Sequence, residues 1–229
     1  MSERELLSKL DTAAYLLAQR KAVFLIAQHY WQVLGKSPVT EGLKVANLAS
    51  AWAIDAIPFA LALEGKNRYD LMMTMKVRPQ DFMIDVQNYE LNPKYIDFAT
   101  SNHSTLRLIV PDASTYHQAD IRELSIEDVS QDIVLLRNPN WKYDFVPDDV
   151  ARVHNEIDRV LKPGGLYWST YVLQKELDVS RANCRREDSI LVDEPNLFPG
   201  PSNKFIIPET GEILNARFDS FVLIAQKAV

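Results

Sequence analysis

The chain has 229 residues, 47% of them hydrophobic and 24% charged, with a formal net charge of −6. That composition suits an ordinary soluble globular protein built on one sizeable core, and we expect a single α/β domain. The acidic balance argues against a nucleic-acid partner, because phosphate neutralisation needs a basic surface, and no run of about 18 apolar residues is present to span a bilayer.

One cysteine, Cys184, excludes an internal disulfide and any CxxC pair, which fits a reducing compartment. The N-terminal MSERELLSKLD is charged where a signal peptide would be apolar, so a cytoplasmic location is expected.

In chain order, residues 2–34 read as helix from Leu6, Leu7, Leu10, Ala13, Ala14 and Leu17 at three- and four-residue intervals, with a second helix over 22–34 and Gly35 placed to end it. This extension, residues 1–41, either packs on the core or caps a substrate site; Tyr30 and Trp31 keep the second option open. Residues 36–42 form a loop into a strand over 43–48. A helical pattern follows over 54–63, a strand over 83–91, a helix over 93–101 and strands over 106–110 and 132–136. Residues 147–161 predict a helix with Pro147 in its first turn and Asp148 and Asp149 suited to its dipole. Strands over 165–173 and 219–226 close the chain, the last preceded by a turn at 209–211. Apolar strands separated by helices predict a doubly wound, mostly parallel sheet over 42–229.

In such a sheet a ligand lies beyond the carboxyl ends of the strands, so the loops there carry the chemistry. The segment EIDRVLKPGGLYW, residues 156–168, is a helix, a tight turn and an immediate strand; YELNPKYIDFA, QADIREL, SQDIVLLRNPNW and FDSFVLIAQK occur in that spatial logic at 89–99, 118–124, 130–141 and 218–227. Taken in order, these five pieces resemble the class I S-adenosylmethionine-dependent methyltransferases over roughly residues 43–227. The resemblance implies a Rossmann-like sheet with an antiparallel last strand and S-adenosylmethionine as cofactor. By that resemblance Asn47, Ala49, Ser50, Ala51 and Trp52 form the first cofactor loop. Glu90, with Leu91 beside it, accepts from the ribose hydroxyls, and Asp120 and Ile121 meet the adenine. Asn138, Pro139 and Trp141 resemble the Asn-Pro-Pro-aromatic loop that holds a substrate amine, with Asn140 replacing the second proline. A second reading makes Asn-Pro an ordinary turn.

Two departures stand out. The family's first loop has glycine where KVANLASAWAIDA has Ala49, Ala51 and Ala53, and often an acid where it has Asn47. Glycine there allows close backbone approach and φ > 0; restoring it at Ala49 and Ala51 is expected to tighten cofactor binding at a small cost in stability. The interval from Ala53 to Glu90 is also about twice the usual one of roughly 20 residues, which an insertion within 67–82 explains; Asp70 is the rival acid at conventional spacing.

The four histidines, His29, His103, His117 and His154, have no ligand-spaced partner, so no metal site is expected. Tyr116 and His117 are read either as pocket residues or as solvent-exposed, and His154 as structural. Arg185 and Arg186 beside Cys184 are placed to lower its pKa. Neither GxSxG nor GxxxxGK[ST] occurs, which removes the serine-hydrolase and P-loop readings. Two functions stay open: a methyltransferase with a small-molecule or peptide-like acceptor, and a non-catalytic descendant that binds a partner. The oligomeric state is not legible.

Overall fold

The computed structural model describes residues 3–50, 55–66, 83–100, 116–139, 141, 146–185, 187–199, 202–206 and 213–229. Outside them lie the predicted strand 106–110, the turn 209–211, the segment 67–82 with Asp70, and Ala51, Trp52, Ala53, His103, Asn140 and Arg186. The chain divides into two compact units, Met1–Ile121 and Arg122–Val229.

The first unit opens with α1, Glu3–Val33, one unbroken helix of 31 residues where the sequence predicts two. Nothing between the two apolar stripes breaks the chain: no Pro or Gly occurs before Gly35. Gly35 takes φ +65 and ends the helix as expected. Its N–H donates to Gln32 O and that of Lys36 to Trp31 O, at 2.9 and 3.1 Å, so two terminal carbonyls are satisfied by a left-handed cap. Val23, Phe24, Ile26, Ala27 and Tyr30 are buried, and the helix packs against α2, Ala56–Leu63. Every residue of α2 from Ile57 to Leu63 is buried, as an all-apolar helix requires.

Three parallel strands, β1 (Leu43–Leu48), β2 (Ile84–Glu90) and β3 (Tyr116–Gln118), lie in the order β3-β2-β1. Helix α3, Pro93–Thr100, follows β2. The register sets Asn47 beside Asn88 and Asn88 beside Tyr116.

The second unit carries β4 (Gln131–Arg137), α4 (Pro147–Val160), β5 (Leu161–Tyr171), α5 (Gln174–Asn183), β6 (Ser189–Pro195), β7 (Ser202–Ile206), β8 (Ile213–Arg217) and β9 (Phe221–Gln226). Its main strands run in the order β4-β5-β9-β6, and β7 and β8 form a separate antiparallel pair. β4 and β5 are parallel, whereas β9 is antiparallel to β5 and β6. Helix α4 buries Val150, Val153, His154, Ile157 and Val160, a stripe at three- and four-residue spacing.

The predicted Lys162–Gly165 turn sits inside β5: Gln131 pairs with Leu161 and Ile133 with Leu166, so four residues loop out opposite Asp132. Gly164 has φ +77, and a Cβ on Gly165 would lie 2.9 Å from Lys162 O; both positions need glycine. Seven strands, mostly parallel with an antiparallel last one, alternate with helices. This is the doubly wound α/β class expected from the sequence.

Candidate functional site

In the first unit the carboxyl ends of the three strands are tied together. Ser50 N–H donates to Tyr89 O at 3.2 Å and Ala119 N–H to Glu90 O at 3.0 Å. These bonds bring Asn47, Ala49 and Ser50, Glu90 and Leu91, and Asp120 and Ile121 to one rim. Asn47, Ser50 and Glu90 are buried, as is Ile121, whereas Leu91 is 54% exposed.

Ala49 is the first unusual feature. Its φ is +50, the left-handed region where an L-residue other than glycine costs roughly 1–2 kcal/mol. The backbone therefore makes a turn that glycine would take without cost, with an alanine bearing the strain.

Alternation along the strands sorts the remaining side chains. Asn47, Asn88, Glu90 and Tyr116 share one face, and Asn47 Nδ2 donates to Asn88 Oδ1 at 2.9 Å. Gln87, Tyr89 and His117 share the other, where the Tyr89 and His117 rings stack at 4.9 Å and His117 Nε2 lies 2.9 Å from Gln87 Oε1. His117 is exposed on that second face, away from the polar row.

One oxygen of Glu90, Oε1, accepts the N–H of Asn92 at 2.9 Å. Burial, then the carboxylates of Asp55 and Glu90, holds the Tyr116 phenol well above its ordinary pKa. Asp55, buried at the start of α2, also faces the buried guanidinium of Arg20, which burial pushes down to about 10 against the opposing pull of Asp55.

Sequence reasoning missed Arg20 and Asp55. Asp55 carried a signal, a charge inside the otherwise apolar AWAIDAIPFALAL, where a polar residue is more informative than an apolar one; Arg20, between Gln19 and Lys21, carried none.

On the three strands and the loop after β1, the buried polar atoms Asn47 Oδ1, Ser50 Oγ and the Tyr116 hydroxyl have no hydrogen-bond partner among the described residues. Buried polar groups are normally paired. A polar ligand at this rim, such as the nucleoside and amino-acid parts of S-adenosylmethionine, fits these unsatisfied atoms and the Glu90 carboxylate.

In the second unit Asn138 follows β4, with φ +49, a conformation asparagine tolerates. Its Nδ2 donates to Asp219 Oδ1 at 3.2 Å, and its backbone N–H donates to Thr170 O at 2.8 Å. Asp219 is fully buried. It also accepts from Arg137 Nε and Nη2 at 2.8 and 2.5 Å and from Thr170 Oγ1 at 2.5 Å, while its carbonyl accepts from Asn196 Nδ2 at 2.6 Å. The Asn138 amide is thus held by a buried charge network.

Pro139 is buried. Trp141 is 3% exposed and lies 6.1 Å, ring to ring, from His154. With Pro147, Val150, Leu173, Glu176 and Val179 it lines a cleft of about 350 Å³.

His154 is buried, its Nε2 2.8 Å from Ser180 Oγ, in a hydroxyl cluster with Tyr167 and Tyr171. Burial pushes its pKa down to about 4. The expectation for Cys184 is corrected: burial, with Asp188 and Asp193, pushes its thiol up to about 11, and Arg185 is spent on Asp158 at 2.7 Å. Among the described residues no group of metal-ligating side chains forms a site, and no helix is long and apolar enough to cross a membrane.

Comparison with known proteins gives the same direction. Residues 69–169 match the family described as a methyltransferase domain. A candidate S-adenosyl-L-methionine-dependent methyltransferase from Methanococcus maripaludis is 13% identical, with 96% of this chain and 90% of that one covered and a TM-score of 0.55. A candidate methyltransferase from Bacillus halodurans is also 13% identical, with 86% and 98% covered and a TM-score of 0.52. At such identities the likeness is one of fold. No curated protein sequence is significantly similar to this one. The chain thus carries a match to a methyltransferase domain over residues 69–169 and shares the fold of these candidate methyltransferases, with alanines in its first loop at positions 49, 51 and 53.

Proposed function

We propose that the protein binds S-adenosylmethionine at the rim of the first unit and transfers its methyl group to a small-molecule or peptide-like acceptor. The observation that carries this reading is Ala49 at φ +50. A left-handed residue persists only where its surroundings enforce it, and such strain gathers at ligand-binding turns.

The bound cofactor supplies an electrophilic methyl on a cationic sulfur. The chain's part is to hold it: Glu90 accepting from ribose hydroxyls, Asp120 and Ile121 against the adenine, and the backbone from Asn47 to Ser50 along the amino-acid part. Methyl transfer then needs little beyond an aligned nucleophile and a proton acceptor.

Within the second unit, Trp141 and the cleft it lines suit an apolar ligand body. Asn138 serves in this reading to fix the loop through Asp219, since its amide is already engaged.

Calorimetric titration with S-adenosylmethionine and S-adenosylhomocysteine tests the proposal. Saturable binding of both is expected. A folded protein that binds neither is the non-catalytic, partner-binding descendant instead.

A further inference from the structure

We propose that Tyr116 is a cofactor-contacting residue, its buried hydroxyl donating a hydrogen bond to the nucleoside half of S-adenosylmethionine. This rests on the functional reading above and names one residue of its site that the resemblance did not assign.

Position comes first. Tyr116 begins β3, and its register neighbours Asn88 and Asn47 continue one polar row across three strands. The neighbour two residues beyond Asn88 on that face is Glu90, the acid at the ribose position. The phenol therefore shares a face with the group that would hold the ribose, two residues short of it along the parallel strands, while His117, one residue on, is turned to the other face and stacked on Tyr89.

Chemistry comes second. A tyrosine buried for packing alone needs no hydroxyl, and a buried hydroxyl without a partner is a cost that phenylalanine would avoid. The Tyr116 hydroxyl has no hydrogen-bond partner among the described residues, although its ring lies near enough to Asp55 and Glu90 for both carboxylates to raise its pKa. It stays protonated, so it is a donor.

Charge comes third. Two carboxylates beside the phenol disfavour an anionic ligand group there, so the carboxylate of the cofactor's amino-acid half lies elsewhere. An uncharged oxygen or nitrogen of the nucleoside is the acceptor that fits. Asn47 Oδ1 and Ser50 Oγ, two more buried atoms without a hydrogen-bond partner among the described residues, lie at the end of β1 and are left for the rest of the same ligand.

The test uses the full chain and its Tyr116→Phe variant, titrated with S-adenosylhomocysteine and with adenosine, and unfolds both ligand-free proteins in urea. The variant is expected to be at least as stable as the wild type, because it loses only an unpaired hydroxyl. Its affinity for both ligands should fall about three- to tenfold, the worth of one net hydrogen bond.

Affinities within about twofold of wild type mean that the hydroxyl meets water alone, which overturns the proposal. A loss with S-adenosylhomocysteine but not with adenosine moves the contact to the amino-acid half and overturns it too. A folded wild type that binds neither ligand overturns the functional reading itself, a result distinct from either of these.

Discussion

Replacing Ala49 by glycine separates the structural argument about the first loop from the functional one. At φ +50 the alanine methyl crowds its own carbonyl, at a cost of about 1–2 kcal/mol. Glycine removes that cost but adds unfolded-chain entropy of about 0.4–1 kcal/mol. The difference favours Ala49→Gly by about 0.5–1 kcal/mol, the reverse of the small loss that the sequence alone suggests. In a chain of this size that is a rise in midpoint of roughly 1–4 °C. The control is Ala46→Gly, three residues earlier in β1, fully buried and without positive φ, where glycine should cost about 1 kcal/mol or more. Urea unfolding of the two variants beside the wild type decides the matter. If Ala49→Gly loses as much as Ala46→Gly, the left-handed turn is not a feature of the folded protein. Ala49 then bears no strain for a ligand to explain.

Asp219→Ala strips the buried Arg137 guanidinium of its counterion and should cost about 3–5 kcal/mol in urea unfolding; a loss below about 1 kcal/mol would show that water reaches the pair. Burial sets the pKa of His154 at about 4, below the unfolded value of about 6.5, so between these values the unfolded chain binds a proton that the folded chain refuses. The stability it contributes is complete above about pH 6.5 and is lost as pH falls towards 4, up to about 3 kcal/mol more in the wild type than in His154→Gln; parallel pH profiles for the two would refute the linkage. Glu90→Gln keeps the shape of the side chain and removes its charge, and it should weaken S-adenosylmethionine by about 1–3 kcal/mol in calorimetry, with unchanged affinity showing that the ribose lies elsewhere.

The elements that were legible are those whose pattern is set by their own burial. β1, β2, β4, β9, α3 and α4 lie within two residues of their expected bounds, because continuous apolar runs and a Pro-Asp-Asp helix start need no knowledge of the neighbours. β3 was missed at Tyr116–Gln118 because three residues, two of them polar, carry no period; it is a strand only through its pairing with β2. β6 was missed for a related reason: as an edge strand it is exposed along most of its length, so its side chains need not alternate.

The candidate site divides along the same line. Glu90, Asp120, Ile121 and the first loop could be assigned by resemblance, since each occupies a strand end whose position follows from the order of elements. The orientation of Asn47, Asn88 and Tyr116 could not, because it depends on register, and a shift of one residue would turn the row to the opposite face. Nor does the identity of residue 138 reveal its part in the loop. Asn138 is engaged by Asp219, 81 positions away in sequence, and Asp219 is held in turn by Arg137 and Thr170. An Asn-Pro pair that reads locally as either a turn or a catalytic loop is thus clamped by a buried charge, which no local pattern announces. If the loop also takes a substrate, Trp141 at the wall of the cleft is the side chain that meets it.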